Sequence, residues 1–174
     1  MPIFGDRSGF AVEYELSSHY GGVWMNGCCR YWCGAKEVGD YAIVTSLRDA
    51  LFSFDEMRRD VDDRKNPRLW AMPPTDMFKL VDGGLFGSRD VAPVELAEQE
   101  QWARHNIKPS VESFDRSKIY LVENETSGRI VYSLSPYVEI IVVQIGAGEV
   151  DAALESVRAS LAQIYEREIA RAAL

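Results

Sequence analysis

The chain has 174 residues, 47% of them hydrophobic, and a formal charge of −8 from 27 acidic and 19 basic side chains. That length suits one domain over residues 1–174 with a sizeable core, and the hydrophobic content excludes a disordered chain. The negative charge disfavours nucleic acid and anionic membranes as partners and would steer a basic partner inward.

The longest apolar runs, such as IIVV (140–143), are strand-sized and too short to span a bilayer. The opening MPIFGDRSGF has no basic segment followed by an apolar one, so it does not read as a secretory leader. Three cysteines, an odd number, fit no disulfide framework. The expected compartment is the cytoplasm.

FAVEYEL (10–16) alternates strictly and predicts a half-buried strand. Phe10, Val12, Tyr14 and Leu16 share one face, and Glu13 and Glu15 point the other way. SSHYGG is a polar turn, and VWMNGCCRYWC (23–33) reads as a second strand. Gly27 within it suggests a bulge or a close approach. Trp24 and Trp32 share strand parity and are expected in the core. GAKEVGD (34–40) reads as a turn closing a hairpin or meander. Thr45 or Ser46 can cap a helix in which Leu47, Ala50, Leu51, Phe54, Met57 and Val61 recur at helical spacing. DVDDRKNP ends it, since Pro67 cannot continue a helix. WAMPPTDMFKLVDGGLFG (70–87) holds a short helix with Thr75 available as its cap and a glycine stop. PVELAEQEQWARHN (93–106) predicts an exposed helix. SKIYLVENETSGRIVYSLS (117–135) is the clearest hairpin, and YVEIIVVQI (137–145) adds a third strand. Val150, Leu154, Val157, Leu161 and Ile164 then form one buried stripe on a long terminal helix. The resulting fold class is α+β, an antiparallel sheet from N-terminal and C-terminal hairpins with central helices and a long C-terminal helix.

Several stretches invite a chemical reading. Gly146-Ala147-Gly148 joins a strand to a helix, as a phosphate cradle would. A dinucleotide fingerprint needs a third glycine where Asp151 stands, and Glu149 and Asp151 are negative where phosphate would dock. Those carboxylates suit a helix start, whose dipole they offset. In CCRYWC, Cys29 and Cys33 share a strand face but lie about 13 Å apart, too far for one zinc ion. Neither His19 nor His105 sits at ligand spacing to them, so structural thiols are favoured and no metal or cofactor is expected. Glu13 and Glu15 lie about 6.6 Å apart, a spacing that glycosidases use, though outward charges on a strand are ordinary devices against aggregation. Asp55, Glu56, Asp60, Asp62 and Asp63 are interleaved with Arg58, Arg59, Arg64 and Lys65, a mixture that is usually a solvated helix face, though it could also greet a basic partner. Trp70 and Trp102 lie in the polar middle, where an exposed aromatic could anchor a partner, although burial is the commoner fate. Asn124-Glu125-Thr126 matches a glycosylation acceptor and, without a leader, is only a hairpin loop.

Two stretches carry a family likeness. IFGDRSGFAVEYEL (3–16) opens directly into the alternating strand. ESFDRSKIYLVENETSGRIVYSL (112–134) gives a hairpin whose first strand reads Lys-Ile-Tyr-Leu-Val-Glu, with a short strand and a closing helix after it. This pattern resembles the immunity protein 42 family of bacterial polymorphic toxin systems. The resemblance implies a cytoplasmic protector that binds the toxin domain of a neighbouring gene and neutralises it without catalysis. A basic toxin, for example a nuclease, would meet Asp55, Glu56, Asp60, Asp62 and Asp63, with Trp70 or Trp102 as anchors. Two other readings stand beside it. One is a small-molecule hydrolase or ligand-binding domain using carboxylates such as Glu13 and Glu15. The other is a subunit that self-associates through its terminal helix.

Overall fold

The computed structural model describes residues 1–87, 102–134 and 139–173. Most of the helix expected over 93–106 lies outside them; its end, Trp102–His105, is a short 3-10 turn. The described elements make an α+β fold, but the strands divide between two antiparallel sheets.

The first sheet holds β1 (Ile3–Gly5), β2 (Phe10–Leu16), β3 (Asn26–Cys33), β4 (Lys36–Val38) and β5 (Thr45–Ser46). Its order is β1-β2-β3-β4, with β5 also on β3. The expected turn at 34–40 therefore contains a strand, because Tyr31–Cys33 pairs with Lys36–Val38. Gly27 marks a close approach: a Cβ there would lie 2.2 Å from the Glu15 carbonyl oxygen. The second sheet holds β6 (Lys118–Glu123), β7 (Ser127–Ser133) and β8 (Ile141–Gly146) in sequence order.

Helix α1 (Leu47–Arg58) starts on Ser46, whose hydroxyl accepts from the Asp49 amide at 3.2 Å. Short α2 (Pro67–Ala71) is capped by Asn66, which accepts from two amides of its first turn. Helix α3 (Pro74–Phe86) begins with Pro73 as its cap, so Thr75 sits inside the first turn. Pro74 there costs nothing, because its missing N–H is one a helix start leaves unpaired. Gly87 ends α3 in the left-handed conformation.

Helix α4 (Glu149–Ala172) closes the structure. Val150, Leu154, Val157 and Leu161 are buried as the stripe requires, and Ile164 is half-buried. They pack with α1 and the inner face of the first sheet around Phe10, Tyr31, Phe54 and Phe114. Ile119, Leu121, Ile130 and Tyr132 complete that core from one face of the second sheet. The other face carries Tyr120, Val122 and Val131 into a second core with Leu69, Met77, Phe78 and Trp102. Burial on both faces explains the near-continuous apolar runs of β6 and β7.

Candidate functional site

The two carboxylates read as a pair do not form one. Glu13 is only 1% exposed. Its Oε2 accepts from Trp32 Nε1 at 2.7 Å, Arg30 Nε at 3.0 Å and Arg7 Nη2 at 3.3 Å. Burial alone would raise its carboxyl, but the hydrogen bonds and charges of those neighbours outweigh it and hold the group below the usual range. Arg7 and Arg30 both stand over the Trp32 ring, at 4.4 and 4.8 Å from its centroid. Glu13 thus keys a stacked cluster and is a poor proton donor, while Glu15 is exposed.

The thiols are equally quiet. Among the described residues Cys28, Cys29 and Cys33 are free, and burial pushes Cys29 and Cys33 up to about 12. A thiol so raised carries almost no thiolate at neutral pH. His105 is buried with Nδ1 at 2.9 Å from the Leu121 carbonyl.

The glycine turn before α4 has its donors taken. The Gly148 amide, on a residue with φ of +79°, donates to Glu123 Oε1 at 2.8 Å, and the Gly146 amide to Glu149 Oε1 at 2.8 Å. Carboxylates of the chain occupy the place a phosphate would need. Glu123 is buried, and that burial raises its carboxyl; the Gly148 amide and the charges of Arg64 and Lys65 offset this only in part.

Beside it lies Arg64, fully buried, which composition placed on a solvated face. Its guanidinium donates to Asp151, to the Met57 carbonyl at 2.6 Å and to the Arg104 carbonyl at 3.0 Å. Arg64 therefore ties the end of α1 to the start of α4. No period in the sequence signals this, because Arg104 and Asp151 come from segments far along the chain.

The first turns of α4 form an accessible ridge between two hollows. On one side a hollow of about 320 Å³ opens between α1 and α4, with Phe54, Val61 and Leu154 on its floor and Arg58, Glu155 and Arg158 at its rim. Arg158 pairs with Glu155 at 2.9 Å and Asp55 at 3.5 Å, and Arg58 with Glu155 at 3.3 Å. Asp55 is thus partly neutralised from α4. Glu56 and Asp63 are exposed, and Glu56 and Asp60 line a separate hollow with Lys108. The side chain of Asp62 lies outside the described residues. On the other side of the ridge, Asp6 and Glu149 line a hollow of about 290 Å³ with Ala152 and Ser156.

The tryptophans sort differently from their parity. Trp102 is 7% exposed and packs on Gly84 in the second core, so it is no surface anchor. Trp70 is half-buried under Arg129, whose guanidinium lies 4.5 Å from the ring centroid. Trp24 is 52% exposed, because the chain leaves the strand at a 3-10 turn of Gly22–Trp24 before β3 begins. Arg48 stacks on it at 3.9 Å, and Phe52 and Tyr165 meet edge-on nearby at 5.6 Å.

The model of the family described as immunity protein 42 matches residues 1–160. The chain belongs to the immunity protein 42 family. No curated protein matches it significantly. Among solved structures, the crystal structure of CdiI from Burkholderia dolosa AUO158 is similar at 21% identity and a TM-score of 0.73, covering 91% of this chain and 99% of that one. At that identity the likeness speaks for the fold. Its membership makes this chain an immunity protein, whose function is to neutralise a toxin. The relevant chemistry is then the surface that a toxin can meet. Among the described residues no helix is long and apolar enough to cross a membrane.

Proposed function

We propose that this immunity protein acts in the cytoplasm by binding the toxin domain of a neighbouring gene, and that contact alone neutralises it. The family match over residues 1–160 carries this reading. Two features support an inhibitor without chemistry of its own. Glu13, the most buried acid of the strand pair, is bound by three donors, and the buried thiols are held protonated.

The toxin-facing surface in this reading is the acidic end of α1 with the ridge of α4. Asp55, Glu56, Asp60 and Asp63 supply negative charge, and Trp70, half-exposed, is available as an anchor. A basic toxin would be drawn to such a surface before any close contact forms.

Co-expression of the neighbouring toxin domain with and without this chain is the test. Growth rescue together with co-purification of the two proteins is the expected result. A chain that neither rescues growth nor retains the toxin domain on a column is not its immunity protein.

A further inference from the structure

We propose that the toxin docks an extended apolar segment, ending in a basic residue, along the free edge of β8. The segment would become a fourth strand beside β6, β7 and β8. This rests on the immunity reading above.

Strand β8 pairs with β7 from Ile141 to Gly146. Among the described residues, nothing pairs with its other edge. Alternate backbone N–H and C=O groups on such an edge point away from the sheet and form a template for another chain. Natural edges are usually blunted by lysine, proline or a bulge. Here the edge reads Ile-Val-Val-Gln-Ile, with no charge and no proline. Val142 is 40% exposed and Gln144 is exposed, so the outer face of the strand offers an apolar contact and an amide.

The far end of this edge is acidic. A hollow of about 370 Å³ is lined there by Asp6, Ser8, Gln144, Gly146 and Glu149. Neither Asp6 nor Glu149 has a cationic partner among the described residues. Glu149 already holds the Gly146 amide, so a docked strand would stop at that point. Its next side chain would lie beside the two carboxylates, which suit lysine or arginine.

The same charges argue against a second copy of this chain as the occupant. Antiparallel self-pairing centred on Val143 would set Glu139 of the copy opposite Ala147, close to Glu149. Two like charges there are repulsive. A strand from a basic toxin meets no such penalty.

Hydrogen–deuterium exchange of the wild-type chain with and without the toxin domain reads the edge directly. Amides within 141–145 should exchange about tenfold slower or more in the complex. Two variants read the affinity. Val142→Lys places a charge on an exposed position of the edge. The double variant Asp6→Asn, Glu149→Gln removes both charges while keeping the acceptors used by the Ser8 and Gly146 amides. Each should weaken toxin binding about tenfold. If the toxin binds, both variants keep full affinity and β8 exchange is unchanged, the edge assignment is wrong while the immunity reading stands. If the wild-type chain does not bind the toxin domain, both fall. A dimer in sedimentation that Val142→Lys dissolves would assign the edge to a second copy and overturn the proposal.

Discussion

Glu13 and Glu123 are both buried glutamates, and they titrate in opposite directions. Glu13 gains more from Arg30, Trp32 and Arg7 than burial costs it. Its folded form therefore holds the proton less tightly than the unfolded chain does. The stability it contributes is present above the ordinary glutamate value of 4.5 and is lost as pH falls through its lowered folded value. Glu13→Ala should cost about 2 kcal/mol at neutral pH, mostly by stranding the Trp32 N–H and removing one of the two carboxylates on Arg30, which keeps Glu37 at 2.9 Å; Arg7, half-exposed, adds little. Urea unfolding at pH 7 measures this. Glu123 is dominated by desolvation, so its folded value is raised. Its contribution is fully present below 4.5 and declines as pH rises through the raised value. Glu123→Gln keeps an acceptor for the Gly148 amide. It should match or exceed wild-type stability at pH 7, with the difference vanishing below pH 4.5. A variant clearly less stable than wild type at pH 7 would show that the ionised carboxylate is needed against Arg64. Neither role was legible in sequence. Strict alternation says that Glu13 points away from the first core, which is correct, but not that Arg30 and Trp32 cover it on the far side.

The elements most legible in the sequence keep a clear apolar pattern. Helix α4 buries its stripe and β2 turns Phe10, Val12 and Tyr14 into the first core, while the β6–β7 hairpin is apolar throughout because both its faces are covered. Boundaries and pairings were harder. Pro73, not Thr75, opens α3, because consecutive prolines preset the extended entry and the first helical residue. The two hairpins form separate sheets, and a strand's period does not name its neighbour. Trp24 follows strand parity but sits in a 3-10 turn, where parity has no meaning. Element packing also makes a sharp expectation at Gly84 on α3. A Cβ there would lie 2.4 Å from the Trp102 ring. Alanine has the better helix propensity by about 1 kcal/mol. The clash with a buried indole should outweigh that gain, so Gly84→Ala should be destabilising by about 1–3 kcal/mol. Thermal unfolding followed by circular dichroism checks it; a stabilised variant would mean that the indole yields freely.

Over the whole molecule, the charge of −8 and the acidic surface around α4 set how a partner arrives. With a basic toxin, kon should fall steeply as salt rises, while koff changes little. Stopped-flow mixing over a salt series distinguishes this from a neutral encounter, whose kon would be flat. Net charge was readable from composition, but its arrangement was not. Asp55 is partly neutralised by Arg158 from α4, whereas Asp6 and Glu149 come together only through the packing of the β1–β2 turn against the end of β8. The central claim is inhibition by contact without turnover. Its most direct measurement is titration of purified toxin domain with this chain, followed by mass analysis of the recovered toxin. Activity should fall linearly to zero at equimolar addition, and the toxin should be recovered chemically unchanged. Complete inactivation by a small fraction of an equivalent, or a covalently altered toxin, would contradict the account.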